Sequence, residues 1–295
     1  MVNYSLTELK GLAWLQYLEM TFPSYQPALQ SLQFEDSLVA IGASVEQKPV
    51  GLGLARLYPE EEAAIILSIF VESPYRCQGI GTALLAHLEQ VFKQRGCRYV
   101  ELVYTSDQTT TLALEHILKK AGWTPPELRV LICKALPEEM IKASWVHKYS
   151  LPAGFTIFPW SDLTEVERSS ILEKQNTQAW YPEVLSPFSE EEDKIEPLNS
   201  LGLRYQKEVI GWMITHRLAP DTIRYSSFFV KKELQKVGRG IPLLAESIKI
   251  QYSSHIPYGM WTVSKDNPAM LSFVKRRMAS YMMSIKESRG VSKVL

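Results

Sequence analysis

Two short runs in this sequence pair a hydrogen-bonding side chain with closely spaced glycines: Arg76-Cys77-Gln78-Gly79-Ile80-Gly81, followed by Thr82, and Gln235-Lys236-Val237-Gly238-Arg239-Gly240. Each follows an apolar stretch that ends in an aromatic and a valine, Phe70-Val71 and Phe229-Val230, and each precedes apolar residues at helical spacing. Glycine removes the side chains that would keep a ligand off the backbone, and the first N–H groups of a helix have no partner within it. Such a corner suits an anion, and phosphate is the natural guest. A P-loop would need Gly-Lys-Ser/Thr, whereas Gly81 is followed by Thr82 and Ala83. A dinucleotide fingerprint would need glycine where Leu84 stands, and a tight turn where residues 72–78 separate strand from glycine. A reading in which the glycines serve only a turn stands beside the ligand reading, more strongly for the second run than for the first.

The elements that must position these runs follow from periodicity. Ala63 to Val71 is a buried strand, closed by Glu72-Ser73-Pro74. Leu84, Leu85, Leu88, Val91 and Phe92 form the stripe of a helix that ends at Gly96. Cys97 to Tyr104 is a strand, Leu112 to Ala121 a helix closed by Gly122, and Arg129 to Lys134 a last strand. Upstream, Ser37 to Ala43 and Val50 to Leu57 form a hairpin turning at Glu46-Gln47-Lys48, and Leu9 to Phe22 forms a first amphipathic helix.

That order recurs at a fixed separation. Gln235 lies 159 residues after Arg76, and at the same offset Val71 meets Val230, Gly79 meets Gly238, Gly81 meets Gly240, Tyr99 meets Tyr258 and Asp107 meets Asp266. Constant separation through strand, loop, helix and strand marks a duplication. The halves are 1–140 and 145–295, with a boundary between Leu136 and Leu151 where Pro137-Glu138-Glu139 and Pro152-Ala153-Gly154 break the periodicity. The fold class is α/β: two tandem domains, each a mixed, mostly antiparallel sheet of about six strands flanked by helices. At this offset Trp160 corresponds to Met1, so the first domain lacks room for a strand matching Gly154-Phe155-Thr156-Ile157-Phe158-Pro159.

The loops resemble the signature of the GNAT superfamily of acetyl-CoA-dependent N-acetyltransferases: Arg or Gln, two residues, Gly, one residue, Gly or Ala. Arg76, Gly79 and Gly81 supply it in the first half; Gln235, Gly238 and Gly240 supply it in the second. The resemblance implies a GNAT-like fold for both halves, acetyl-CoA as co-substrate, and a small-molecule or peptide amine as acceptor. It places Phe70, Val71, Arg76, Cys77, Gln78, Gly79, Ile80, Gly81 and Thr82 at the cofactor, with Val230, Gln235, Gly238 and Gly240 in the second copy. The strand before the loop would splay from its neighbour to leave a wedge for the thioester. The family's usual base and acid positions are occupied here by Ile65 and Leu118 in the first half, and by Arg224 and the Val274–Arg277 region in the second, none of which suits the role. Glu62 and Tyr104 are the substitute candidates for base and acid. A solvated charge and a strand aromatic are the plainer readings of the two. His87 and His116 read as helix-surface or packed residues; Trp180, Tyr181, His216, Tyr225 and Trp261 either line an acceptor cavity or fill the core. A CoA-binding protein without catalysis and a purely structural tandem are the competing functions.

Composition narrows the classes further. Thirty-two Lys plus Arg balance 32 Asp plus Glu, so no overall field attracts nucleic acid or an anionic membrane. The apolar fraction, 46%, supports real cores. Cys77, Cys97 and Cys133 have neither metal nor disulfide spacing. No apolar run reaches the length of a membrane span, and the first apolar stretch lacks a basic leader, so a cytoplasmic location and no metal are expected.

Overall fold

The computed structural model describes residues 2–188 and 191–295. Along the chain run β1 (Ser5–Glu8), a tight-turned 3-10 segment (Gly11–Met20), α1 (Gln26–Gln30), β2 (Leu38–Val45), β3 (Lys48–Tyr58), β4 (Ala63–Val71), α2 (Ile80–Gln94), β5 (Tyr99–Thr105), α3 (Thr111–Lys120) and β6 (Glu127–Ala135). There follow α4 (Pro137–Met140), α5 (Ser144–Lys148), β7 (Phe155–Pro159), α6 (Glu165–Thr177), β8 (Leu201–Tyr205), β9 (Glu208–Ala219), β10 (Thr222–Val230), α7 (Lys232–Gln235), α8 (Gly240–Ser253), β11 (Tyr258–Ser264), α9 (Pro268–Phe273) and β12 (Met282–Val294). The first apolar stretch, expected as an amphipathic α-helix, is thus a 3-10 segment that buries Trp14, Tyr17 and Met20.

The chain divides into two compact units that are not continuous halves: Met1–Arg129 with Glu287–Leu295, and Val130–Lys286. In the first unit β1, β2, β3 and β4 pair antiparallel in order, and β4 pairs parallel with β5 over Ala63–Ile66 and Tyr99–Leu102. The far side of β5 is taken by the chain's last strand, Ser288 to Val294 against Thr105 to Tyr99. In the second unit β7, β8, β9 and β10 repeat the antiparallel run, β10 pairs parallel with β11, and β11 is completed by Val130–Ala135 of β6. Each unit therefore has six strands, and the strand that closes it comes from the other end of the duplication. The halves 1–140 and 145–295 follow the repeat in the sequence; the compact units differ from them by this exchange of closing strands.

The repeat is visible in the backbone. Ala63 opposite Tyr99 and Thr222 opposite Tyr258 keep the 159-residue offset across the parallel pair. The hairpin turns carry positive φ at Glu46-Gln47 and again at Gln206-Lys207. A bulge leaves one extra residue on β4, Leu67, and on β10, Ser226, which are also 159 apart. Upstream the offset fails: Ala43 and Leu203 are equivalent in the sheet, as are Leu6 and Ile157, so the connection to the second strand is nine residues shorter in the first unit (203−43 against 157−6). A first strand therefore exists where the fixed offset left no room for one. It is four residues long and forms the sheet edge.

In the first unit one sheet face packs Leu84, Leu85, Leu88, Val91 and Phe92 of α2 against Ala55, Ile66, Val100 and Val291, while Trp14, Tyr17 and Leu29 cover Leu52 and Leu54 on the other. In the second unit Trp160, Tyr181, Trp212 and Phe229 form an aromatic core, Trp212 and Phe229 with centroids 4.9 Å apart. Such fully buried aromatics dominate burial energetics.

Candidate functional site

The strand–loop–helix corner takes the same form in both units. The Arg76 guanidinium donates to the Val71 carbonyl (Nε–O 3.0 Å), and the Gln235 amide donates to the Val230 carbonyl (Nε2–O 2.6 Å). The Arg-or-Gln position thus latches the loop to the last strand residue, 159 residues apart in the two copies. Beyond Ile66 and Arg224, β4 and β10 leave their parallel neighbours, which opens a wedge in each sheet on the side where the loop lies.

The loops differ in what they offer an anion. In the first unit Arg76 N donates to Ser73 O and Ala83 N to Gly79 O; among the described residues the six amides between, Cys77 to Thr82, have no acceptor. Gly79 has φ +86° and an added Cβ would meet only Tyr4 Oη at 4.0 Å; at Gly81 the nearest atoms would be 3.8 Å away. The loop is open, and its donors run into the start of α2. In the second unit Gly238, Arg239 and Ile241 spend their N–H groups on Gln235, Leu234 and Gly238 carbonyls, and Pro242 has none. A Cβ on Gly240 would meet the Phe228 ring at 2.7 Å, so this glycine answers a packing demand. The residues of the first loop fit a pyrophosphate; those of the second fit it poorly.

The structure does not bring Glu62 to the loop. It caps the far end of β4, nine residues or about 30 Å of extended strand from Val71, adopts φ +49°, and pairs with Arg98 (2.8 Å) while half-exposed. Tyr104 lies at the wedge end of β5, but its hydroxyl donates to Glu115 (2.8 Å), which Arg289 also holds (2.7 Å). Burial, then the Glu115 carboxylate, push the Tyr104 phenol well above its ordinary range. His87 is half-buried and His116 exposed, each on a helix.

Of the aromatic and histidine candidates in the second unit, Trp180 and Tyr181 belong to the aromatic core. Tyr225, Trp261 and His216 do line cavities. A cavity of about 870 Å³ opens in the wedge between β10 and β11, lined by Tyr225, Phe228, Leu244, Ile248, Trp261 and Met270 among others. A second, of about 370 Å³, shares Val184, Tyr225, Ser226, Trp261 and Thr262 with it and adds His216, Arg224 and Glu191. Tyr225 Oη donates to Gln251 Oε1 (2.7 Å), and Gln251 is itself buried and tied to the Ile256 and Tyr258 carbonyls. Burial pushes the Tyr225 phenol above its ordinary range, against the lowering effect of Ser247 and Asn199, and the residue lines both cavities. Ser226 and Gln251 escaped sequence reasoning. Two adjacent serines between Tyr225 and Phe228, Ser226-Ser227, were the available signal.

Among the described residues no cluster of three or more His, Cys, Asp and Glu could hold a metal, and no helix is long and apolar enough to cross a membrane.

With this geometry, comparison with known proteins defines the class. Residues 6–116 match the model of the Acetyltransferase (GNAT) family, and this part of the chain is a GNAT domain. Over its whole length the chain has the α/β fold of a tandem GNAT protein. A tandem GNAT protein from the clavulanic acid biosynthesis pathway, solved without AcCoA, superposes with a TM-score of 0.56 at 12% identity, covering 99% of this chain and 98% of that one. A GCN5-related N-acetyltransferase from Sphaerobacter thermophilus gives a TM-score of 0.55 at 14% identity, covering 100% and 97%. No curated protein sequence matches. The family's chemistry is acyl transfer.

Proposed function

We propose that this protein transfers an acetyl group from acetyl-CoA to a primary amine of a small molecule or peptide, with the principal cofactor site at the first loop. The observation that carries this reading is the run of six amides, Cys77 to Thr82, that have no acceptor among the described residues at the start of α2. Those donors would hold the pyrophosphate, because directed backbone N–H groups at a helix start stabilise anionic oxygens. The open edge of β4 up to Phe70 and Val71 would take the pantetheine arm, with Arg76 holding the Val71 carbonyl in line. The amine must be neutral when it attacks, and its proton must reach a base or water. Glu62 is too far from the loop to take it, and Tyr104 is committed to Glu115. Those two placements favour the competing reading, a CoA-binding protein without catalysis in this unit. The repeated halves 1–140 and 145–295 are proposed as the units of duplication, and a cytoplasmic location fits three free cysteines.

Calorimetric titration with acetyl-CoA decides between sites. Gly81→Asp places a carboxylate among the amides in open space, so a folded variant should lose at least a hundredfold in affinity. Retained affinity would remove the first loop from the reading. Release of free thiol from acetyl-CoA over a panel of primary amines then separates transfer from binding alone. Gly240→Asp is no clean control, because its side chain would strike Phe228.

A further inference from the structure

The second unit carries a reactive constellation that the first lacks. The β10 bulge leaves Ser226 without a ladder partner between Tyr225, opposite Thr215, and Ser227, opposite Ile214. Bulges commonly re-aim a side chain beside an active site. Ser226 Oγ here lies 2.7 Å from His216 Nδ1, on the adjacent strand β9. His216 Nε2 is 3.1 Å from the Glu191 carbonyl, which only accepts, so Nε2 bears the hydrogen. In the neutral ring Nδ1 is then the acceptor, and the Ser226 hydroxyl donates to it. Burial first, and the Arg224 charge second, hold the imidazole below its ordinary pKa, so it is neutral near pH 7 and free to take a proton. The orientation is complete: nucleophile to base, base to a fixed carbonyl. Arg224 Nε donates to Ser226 Oγ at 2.9 Å and would stabilise negative charge developing there.

Surroundings agree with a reactive serine. Ser226 is half-buried and lines both cavities at their junction, so a substrate in either one reaches it. The larger cavity is walled by Leu244, Ile248, Met270, Phe273 and Met278, which suits a hydrocarbon chain and far exceeds the room an acetyl group needs. Trp261 lines the same junction, and among the described residues its indole N–H has no acceptor. The loop at this wedge spends its Gly238, Arg239 and Ile241 amides internally, and Pro242 has no N–H, so it offers a pyrophosphate fewer donors than the first loop does. In the first unit the equivalent of Ser226 is Leu67, and Arg56 stands in the place of His216, so the pair belongs to the second unit alone.

We propose that Ser226 and His216 form a nucleophile–base pair that accepts an apolar acyl group from an ester or thioester onto Ser226. The Ser226 Oγ–acyl carbon bond forms as the bond to the leaving oxygen or sulfur breaks. The Ser226 proton passes to His216 Nδ1 and then to the leaving group. An amine or water afterwards attacks the acyl-serine, His216 takes its proton, and that proton returns to Oγ as the acyl group leaves. No oxidant or metal enters the balance. This centre is independent of acetyl-CoA binding by the first loop.

Diisopropyl fluorophosphate tests it on the full chain without CoA or an amine. Phosphorylation should map to Ser226 by peptide mass, vanish in Ser226→Ala and slow at least a hundredfold in His216→Gln, with circular dichroism confirming folded protein. An unlabelled Ser226 in the folded wild-type protein, or an equal rate in His216→Gln, overturns the proposal. Should His216→Gln fail to fold, Ser226→Cys serves: at pH 6 its thiol, facing the imidazole, should react with iodoacetamide at least tenfold faster than the exposed Cys77 of the same chain. A slower reaction than that of Cys77 overturns the pair equally. Loss of acetyl-CoA binding at the first loop would leave both readouts unchanged, so the two readings fail separately.

Discussion

At the scale of single residues, Glu167 is a carboxylate whose partners give it a structural role. Thr164 and Glu167 cap α6 reciprocally: Thr164 Oγ1 accepts from Glu167 N (3.3 Å) and Glu167 Oε2 accepts from Thr164 N (3.0 Å). Arg204 on β8 then grips both carboxylate oxygens at 2.6 and 3.0 Å while lying over the Phe158 ring. The Arg204 bonds, reinforced by Thr164 against the cost of burial, hold the Glu167 carboxyl at about 2. A carboxyl depressed below its unfolded value, 4.5, stabilises the fold above that pH, and the contribution drains away as pH falls toward about 2. Glu167→Gln should therefore cost about 2 kcal/mol at pH 7, with the gap to wild type closing between pH 4.5 and 2 in urea unfolding. A gap independent of pH would assign the cost to the cap alone. The cofactor loop was legible in the sequence because arginine and glycine at fixed spacing declare a backbone corner. A base was not, since Ile65 and Leu118 stand where the family's base and acid usually do, and Glu62, at the start of β4, pairs with Arg98 far from the loop.

At the scale of elements, the same strand–loop–helix corner serves two different ends, and the difference lies in backbone donors. Arg76 is exposed, so Arg76→Ala should scarcely lower stability, yet it frees the Val71 carbonyl and slackens the loop. A net hydrogen bond is worth about 0.5–1.5 kcal/mol, which predicts acetyl-CoA affinity weaker by up to about tenfold in a calorimetric titration. Unchanged affinity would make the latch incidental. Gly240→Ala has the opposite profile. Its methyl would press on Phe228, and overpacking of this kind costs about 1–3 kcal/mol, so urea unfolding should register the loss while acetyl-CoA titration at the first loop does not. The duplication was legible because Val71, Gly79 and Gly81 keep register with their partners. The shorter first connection was hidden, because a nine-residue difference in an irregular segment leaves no periodic trace, and so β1 went unseen. Likewise the Leu67 and Ser226 bulges alter pairing without altering composition, which is why the serine beside His216 did not declare itself.

At the scale of the whole molecule, the closing strands set what can fold alone. Nothing in residues 127–135 or 282–294 marks them as exchanged, since an apolar-alternating strand reads the same whichever edge it joins. Yet the first unit draws much from the end of the chain. Val291 is buried in its core, Lys293 pairs with Glu89 at 2.6 Å where both side chains are largely enclosed, and Arg289 holds Glu115 at 2.7 Å. Glu89 also accepts from the Trp123 indole (2.7 Å), so removing Lys293 leaves a carboxylate half-partnered in a poorly solvated place. Breaking an enclosed pair by deleting one partner is costlier than the pair is worth, at about 3–5 kcal/mol, and β5 would lose the neighbour that pairs Tyr99 to Thr105. A marginal domain has only about 5–15 kcal/mol to lose. We therefore expect the fragment 1–140 to lack a sharp thermal transition by circular dichroism, and addition of a peptide spanning 282–295 to restore one, with hydrogen-exchange protection returning at the β5 amides. Should 1–140 melt sharply at one temperature with and without the peptide, its own β6 would have replaced the missing strand, and the exchange would carry no stability.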